Sequence, residues 1–139
     1  MSKNIGAKDL GIDTASQDEQ PLFRWFLASY LFGKRISQEI AKNTWEAFMK
    51  HGVDTPRKIA NRSWQELVDI LGEGHYRRYD ESTASNLHDM AGYLIEQYSG
   101  KITNLIHEAS SRRELEQKLQ EIKGVGPKTA QIFSREVKV

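Results

Sequence analysis

Residues 124–127, with the sequence Gly-Val-Gly-Pro, constrain the fold more than any other segment of the chain. They lie between two stretches in which apolar residues recur at helical spacing. Gly124 can end the first helix where a positive φ is needed, and Val125 can turn inward to join the two helices. Gly126, followed by a proline, can start the second helix. The sequence therefore predicts a tight hairpin of two helices whose turn exposes backbone.

Helical spacing recurs along most of the 139 residues, and no window shows the sustained alternation of a half-buried strand. The first strong helical pattern starts at Pro21 and stops at Gly33. Residues 1–20 have scattered apolar side chains, so we expect a polar N-terminal arm that is frayed or loosely docked. Residues 21–139 are expected to form one all-α domain, a helical barrel or bundle that contains the hairpin.

Composition excludes several classes of protein. The chain has no cysteine, which excludes disulfides, thiolate zinc sites, cysteine nucleophiles and Cys-ligated iron–sulfur clusters. The four histidines are widely spaced, so no metal site is predicted. No apolar run approaches the roughly 18 residues of a membrane span, and the first residues lack the apolar stretch of a secretory signal. We therefore expect an intracellular protein with no membrane partner. We also expect it to be a monomer.

The formal net charge of +1 hides an uneven distribution. Residues 1–20 carry two lysines and four acidic residues, whereas residues 101–139 carry eight basic and five acidic residues. The basic excess thus coincides with the hairpin. Charge of this size fits a solvated helix face as well as a nucleic-acid contact, and it does not decide between them.

The start of the second hairpin helix is a candidate anion site. Its first N–H groups have no intrahelical acceptor and carry the positive end of the helix dipole, so a phosphate could approach the bare backbone. Lys123 and Lys128 flank this point. The alternative interpretation is an ordinary corner between two helices.

Residues 122–130, Ile-Lys-Gly-Val-Gly-Pro-Lys-Thr-Ala, resemble the helix-hairpin-helix signature of the endonuclease III-like DNA glycosylases, the HhH-GPD superfamily, usually Leu-Pro-Gly-Val-Gly-Arg-Lys-Thr-Ala. Residues 22–37 are similar to that family's first barrel helix and the Ser-x-Gln-Thr loop after it. Residues 71–84 are similar to its Gly-Leu-Tyr-x-x-Lys-Ala loop. The order and spacing of these segments agree over most of the chain.

The resemblance implies a six-helix barrel that acts in base-excision DNA repair. Members of the family bind double-stranded DNA, extrude a damaged or mismatched base and cut its glycosidic bond, and some are also AP lyases. The resemblance implies a glycosylase, a hydrolase with possible lyase chemistry on abasic sites, in the cytoplasm or nucleoid or in the nucleus. It also suggests a monovalent cation at the carbonyls of residues 124–126. No other cofactor is predicted, because the chain has no cysteine to hold the iron–sulfur cluster that many members of the family carry.

Lys128 falls on the position that, in bifunctional members, supplies the amine that attacks the sugar C1′. Such an amine must be unprotonated, which requires desolvation or nearby positive charge. The alternative for Lys128 is a phosphate contact or a solvated side chain. The positions that fall on the DNA-gripping hairpin are Lys123, Gly124, Val125, Gly126 and Thr129.

Two loops match parts of the family that face DNA. The first contains Lys34 and Arg35, and Arg35 lies about where the family has a glutamine that probes the gap left by the base. Arginine there would fill the gap or hold phosphate, and a solvated loop residue is the alternative. The second loop mixes aromatic and basic side chains, which suits base stacking and phosphate contact, with a tyrosine-packed structural loop as the alternative. Its candidate contacts are His75, Tyr76, Arg77 and Arg78.

The sequence also departs from the family. The family's essential aspartate lies beyond the hairpin, and the only acidic residue after Lys128 is Glu136, which is eight residues and about 12 Å further along a helix. We therefore expect either a fragment of a longer enzyme or a minimal barrel that binds DNA without cutting it. Three functions stay open: a glycosylase or AP lyase, a non-catalytic DNA-binding module, and a helical interaction scaffold.

Overall fold

The computed structural model describes residues 5–139, and these residues form helices and loops without a strand. The all-α prediction is confirmed for this part of the chain. Two short 3-10 helices, Ala7–Leu10 and Thr14–Ser16, precede eight α-helices. The α-helices are α1 (Glu19–Phe32), α2 (Gln38–Lys50), α3 (Pro56–Ala60), α4 (Trp64–Glu73), α5 (Asp80–Tyr98), α6 (Ile102–Glu108), α7 (Arg112–Leu119) and α8 (Pro127–Ser134).

Helix α1 is the centre of the fold and packs against α2, α6 and α8. Ten of its 14 residues are buried, as expected for a helix that is apolar on every side. It begins at Glu19, two residues before the predicted start, and Pro21 lies within its first turn, where a missing N–H costs little. The Glu19 carboxylate accepts hydrogen bonds from the amides of Ile102 and Thr103, so it caps α6. An acidic side chain in one helix thereby satisfies the free donors of another.

Hydroxyl side chains start most of the other helices. Ser37, Thr55, Ser63 and Ser111 each accept a hydrogen bond from the amide three residues further on. Each satisfies one of the donors that a helix start leaves free, a contribution of about 1 kcal/mol. These caps fix where α2, α3, α4 and α7 begin.

The N-terminal arm is docked from residue 5 onwards. Ala7 and Ile12 are buried, and the Ala7 amide donates to Glu136 over 2.7 Å. The Ile5 amide donates to the Gln38 side-chain oxygen, also over 2.7 Å. The predicted arm is therefore tied to α2 and to the residues after α8, while its first four residues lie outside the described part of the chain.

Candidate nucleic-acid interface

Helices α7 and α8 pack against each other and are joined by residues 120–126, here called the α7–α8 turn. Gly124 has a φ of 84°, the conformation for which glycine was expected at this position. The Val125 side chain is buried, and its amide donates to the Ile122 carbonyl over 3.1 Å. Val125 can therefore offer only backbone to a ligand.

Tyr30 of α1 packs against the turn and forms a hydrogen bond with it. Its ring is fully buried, and its hydroxyl donates to the Lys123 carbonyl over 2.8 Å. A Cβ atom added to Gly124 would overlap the Tyr30 hydroxyl and lie 2.8 Å from its Cζ atom. Burial raises the pKa of Tyr30 well above its ordinary value, so the hydroxyl that donates this bond stays protonated. Gly124 is thus required both for its φ and for the space it leaves.

Lys34 binds the same turn from the loop after α1. Its Nζ atom donates to the Gly124 carbonyl over 2.7 Å and lies 5.1 Å from the centre of the Tyr30 ring. Burial lowers the pKa of Lys34. A lysine amine therefore already contacts one of the carbonyls at which the family resemblance suggested a monovalent cation, and such an ion would have to share that oxygen.

The start of α8 has free donors. Within residues 5–139, the amides of Gly126, Lys128 and Thr129 donate to no acceptor. The side chains of Lys123 and Lys128 are exposed and, within the same range, have no ion-pair partner. Thr129 is buried, with 2% of the residue exposed, which corrects the view of it as a DNA contact.

Two cavities lie on either side of the loop after α1. The first, the Lys128 cavity, has a volume of about 370 Å³ and carries three cationic side chains and no carboxylate. One of them, Arg112, also hydrogen-bonds Ser134 and Glu116. The cavity is lined by Ile5, Phe32, Ile36, Gln38, Arg112, Lys128, Gln131, Ile132 and Arg135.

The second cavity, here called the Lys34 cavity, has a volume of about 310 Å³ and lies between the loop after α1 and the first turns of α5. Hydroxyl, amide and basic groups dominate its lining. The lining residues are Gly33, Lys34, Arg35, Tyr79, Ser82, Thr83 and Asn86. The two lysines therefore border different cavities.

The loop between α4 and α5 only partly matches its prediction. Tyr76 is fully buried, and burial raises its pKa to about 12. This corrects the expectation that its ring stacks on a base, because the ring belongs to the core. His75, Arg77 and Arg78 are exposed, and the Arg78 guanidinium lies 5.3 Å from the centre of the Tyr79 ring. Basic side chains, not an aromatic platform, are what this loop presents to a partner.

The acidic residue after Lys128 has a structural role. Glu136 accepts the Ala7 amide and so fixes the N-terminal arm. Within residues 5–139, no group of three or more histidine, aspartate or glutamate side chains is placed to hold a metal ion. The same residues contain no helix that is long and apolar enough to cross a membrane.

The sequence predicted the position of the α7–α8 turn but not the two side chains that hold it, Lys34 and Tyr30. Lys34 was predicted to contact DNA, but it binds a carbonyl 90 positions away in the chain. Tyr30 contacts Lys123 across 93 positions. The one available signal was the hydroxyl of Tyr30 on a helix buried on all sides, because such a group must find a partner inside the protein.

No protein-family model matches the sequence, and no curated protein matches it significantly. The likeness to DNA glycosylases therefore rests on the residues of the turn and of the two loops.

Proposed function

We propose that this chain binds double-stranded DNA, in the manner of base-excision repair proteins, by holding a backbone phosphate at the α7–α8 turn. The observation that carries the proposal is the pair of free amides at Gly126 and Lys128. Free amides at a helix N-terminus, together with the helix dipole, attract an anion. The exposed lysines at positions 123 and 128 add positive charge beside them.

The shape of the turn supports the approach of a phosphate. A Cβ atom added to Gly126 would meet no atom within 4 Å, so the backbone there is open to a ligand. Val125 and Thr129 point their side chains inward and do not obstruct the amides. A phosphate could therefore reach the α8 N-terminus without displacing any side chain.

Neighbouring basic residues extend this surface. Arg35 is exposed and lines the Lys34 cavity together with Tyr79, which ends the loop that carries Arg77 and Arg78. A phosphate next to the one at the turn could meet the Arg35 guanidinium, which borders the same cavity as Lys34. Contacts of this kind position a duplex without reading its sequence.

A glycosylase or AP lyase is the second candidate, favoured by the two cavities that open beside the turn. The family resemblance assigns the reacting amine to Lys128. Within residues 5–139, the one acidic residue after Lys128 is Glu136, and it accepts the Ala7 amide. DNA binding is therefore the function we put first, and base excision is the narrower proposal.

Fluorescence anisotropy with a labelled duplex over a range of salt concentrations tests the binding. Neutralised phosphates release counterions, so affinity must fall as salt rises. Lys123→Gln and Lys128→Gln should each weaken binding and reduce the magnitude of the logarithmic salt slope by about one.

Lys50→Gln is the matched control. Lys50 is exposed at the C-terminal end of α2, about 18 Å along the helix from the loop after α1. It should bind the duplex as the unaltered protein does. An affinity independent of salt, or equal losses in all three variants, would contradict the proposed interface.

A further inference from the structure

The Lys128 cavity combines an apolar lining with cationic side chains. Three isoleucines and Phe32 supply its apolar surface, and Arg112, Lys128 and Arg135 supply positive charge. Its volume of about 370 Å³ lies in the range of small-molecule sites, which are mostly apolar clefts with a few polar groups that orient the ligand. The cavity therefore has the size and the mixed lining of a site for a small ligand.

Helix α8 sets the spacing of charge along one wall of this cavity. Lys128, Ile132 and Arg135 follow each other at intervals of four and three residues, so they lie along one face of α8 and the residue that caps it. Lys128 and Arg135 are separated by about 10 Å along the helix axis. This wall thus carries a cation at each end and an apolar side chain between them.

Arg112 reaches the same wall from the start of α7. Its Nε atom donates to the Ser134 hydroxyl over 3.2 Å and to Glu116 over 3.3 Å. Ser134 directly precedes Arg135, so these bonds bring the two guanidinium groups to the same end of α8. Within residues 5–139, the terminal nitrogens of Arg112 and the whole side chain of Arg135 donate to no acceptor. Both groups therefore have donors left for an anion.

Two carboxylates adjoin these groups, but neither lines the cavity. Glu116 accepts from Arg112 and from the Ser134 hydroxyl. Glu136 accepts from the Ala7 amide over 2.7 Å. Each carboxylate is thus engaged outside the cavity, and the described lining keeps an excess of positive charge.

We propose that the Lys128 cavity binds a small carboxylate with an apolar body, an arylalkyl or alkyl monocarboxylate. The carboxylate pairs with the guanidinium groups of Arg112 and Arg135, because the planar donors of arginine match the two oxygens of a carboxylate. The apolar body lies against Ile132 and Phe32, where it is removed from water. A cavity of about 150 Å³ holds benzene, so one of about 370 Å³ has room for a ring and a short chain.

The apolar lining distinguishes this ligand from the phosphates proposed for DNA. A phosphate would use the cations but would leave the isoleucines and Phe32 in contact with water. Both the charge and the apolar body of the ligand are therefore required for tight binding. The inference does not rest on DNA binding, and its test contains no DNA.

Isothermal titration of the full chain with phenylbutyrate tests the proposal. We expect a dissociation constant below about 1 mM, as suits a ligand of this size. Acetate keeps the carboxylate without the apolar body, and phenylbutyramide keeps the body without the charge. Each should bind more weakly than phenylbutyrate by about tenfold or more. Backbone amide resonances that shift during the titration should come from α8, the start of α7 and the loop after α1.

Arg135→Gln and Arg113→Gln form a matched pair of variants. Arg135→Gln removes one guanidinium group without breaking a side-chain bond within residues 5–139, so it should fold normally and bind phenylbutyrate about threefold or more weakly. Arg113 is exposed in the first turn of α7 but does not line the cavity, so Arg113→Gln should change the affinity by less than about twofold.

Three results would overturn the proposal. They are equal affinities for the acid and the amide, equal losses in the two variants, and no binding of phenylbutyrate at millimolar concentration. Because no duplex is present, none of these results bears on the proposed DNA binding. A protein that failed to bind a duplex would likewise leave the carboxylate site standing.

Discussion

The charged side chains around the buried carboxylate of Asp54 are paired with one another, whereas those at the α7–α8 turn are not. Asp54, whose side chain is 7% exposed, is fully paired. It accepts from Arg24 over 2.7 Å, from Lys58 over 3.3 Å and from the Gln20 amide over 3.3 Å. The first turns of α1 and α3 are tied together there, and nothing is left for a ligand.

The turn brings together cationic side chains that form no ion pair within residues 5–139, although Glu121 belongs to the same segment. Lys34 is bound to a carbonyl, and Lys123 and Lys128 are exposed beside free amides. Charge that is paired inside the protein fixes helices in place, whereas unpaired charge beside bare backbone is available to a partner. Substitutions at the turn and at Asp54 can test this difference between unpaired and paired charge.

The largest effect is expected at Gly124. Gly124→Ala should destabilise the protein by about 3 kcal/mol, because the new methyl group would overlap the Tyr30 hydroxyl and a positive φ strains an L residue. Urea unfolding measures this loss. Tyr30→Phe introduced into the same variant should restore part of it, since the hydroxyl is the overlapped atom.

Gly126→Ala is the control for that substitution. Its φ is −101°, and a Cβ atom there meets nothing within 4 Å. We expect a change of less than about 1 kcal/mol. Equal losses at the two glycines would show that the approach of Gly124 to Tyr30 is not what fixes the turn.

The spacing of glycine and apolar residues predicted several features of the α7–α8 turn and of the end of α1. The φ of Gly124, the inward side chain of Val125 and the end of α1 before Gly33 all depend on neighbours within a few residues. Such features follow from backbone geometry alone, so a single sequence can reveal them.

Contacts across the chain could not be predicted in the same way. Tyr76 and Lys34 both belong to loops whose composition indicates an exposed, DNA-facing surface, yet one is in the core and the other supports the turn. Whether a loop side chain points inward depends on which helices pack beside it. That information is spread over the whole sequence and not over the loop.

A smaller loss is expected at the paired carboxylate. Asp54→Asn should cost about 2 kcal/mol, because the neutral amide weakens its bonds to Arg24 and Lys58, while these partly exposed cations remain solvated. Burial alone would raise the pKa of Asp54, but the hydrogen bonds and charges of Arg24 and Lys58 outweigh it and hold the pKa below the ordinary 3.8.

That lowered pKa gives the prediction a pH signature. A carboxylate whose pKa is depressed by folding stabilises the native state above the unfolded pKa, and this stability is lost as pH falls through the folded value. Unfolding free energies measured from about pH 5 to about pH 2 should therefore decline more steeply in the unaltered protein than in Asp54→Asn. Asp69→Asn, on the exposed side of α4, should keep the steep decline.

Removal of the Tyr30 hydroxyl should have a smaller effect still. Tyr30→Phe leaves the Lys123 carbonyl without its 2.8 Å donor but keeps the ring beneath Lys34, so a loss of about 1 kcal/mol is expected. Chemical denaturation gives the stability, and duplex anisotropy shows whether the turn still binds. A loss above about 3 kcal/mol would mean that the hydroxyl supports more of the fold than this one bond.

The smallest effect is expected at Lys58, and it shows how unevenly the Asp54 cluster depends on its partners. Lys58 is 55% exposed and lies 3.3 Å from Asp54, whereas Arg24 binds the same carboxylate through two nitrogens at 3.1 and 2.7 Å. Exposed pairs of this kind contribute little because water and side-chain entropy offset the attraction, so Lys58→Gln should change the unfolding free energy by less than about 0.5 kcal/mol. A loss above about 1 kcal/mol would show that Asp54 needs both cations. The two hydrogen bonds from Arg24 would then not be enough to stabilise the buried carboxylate.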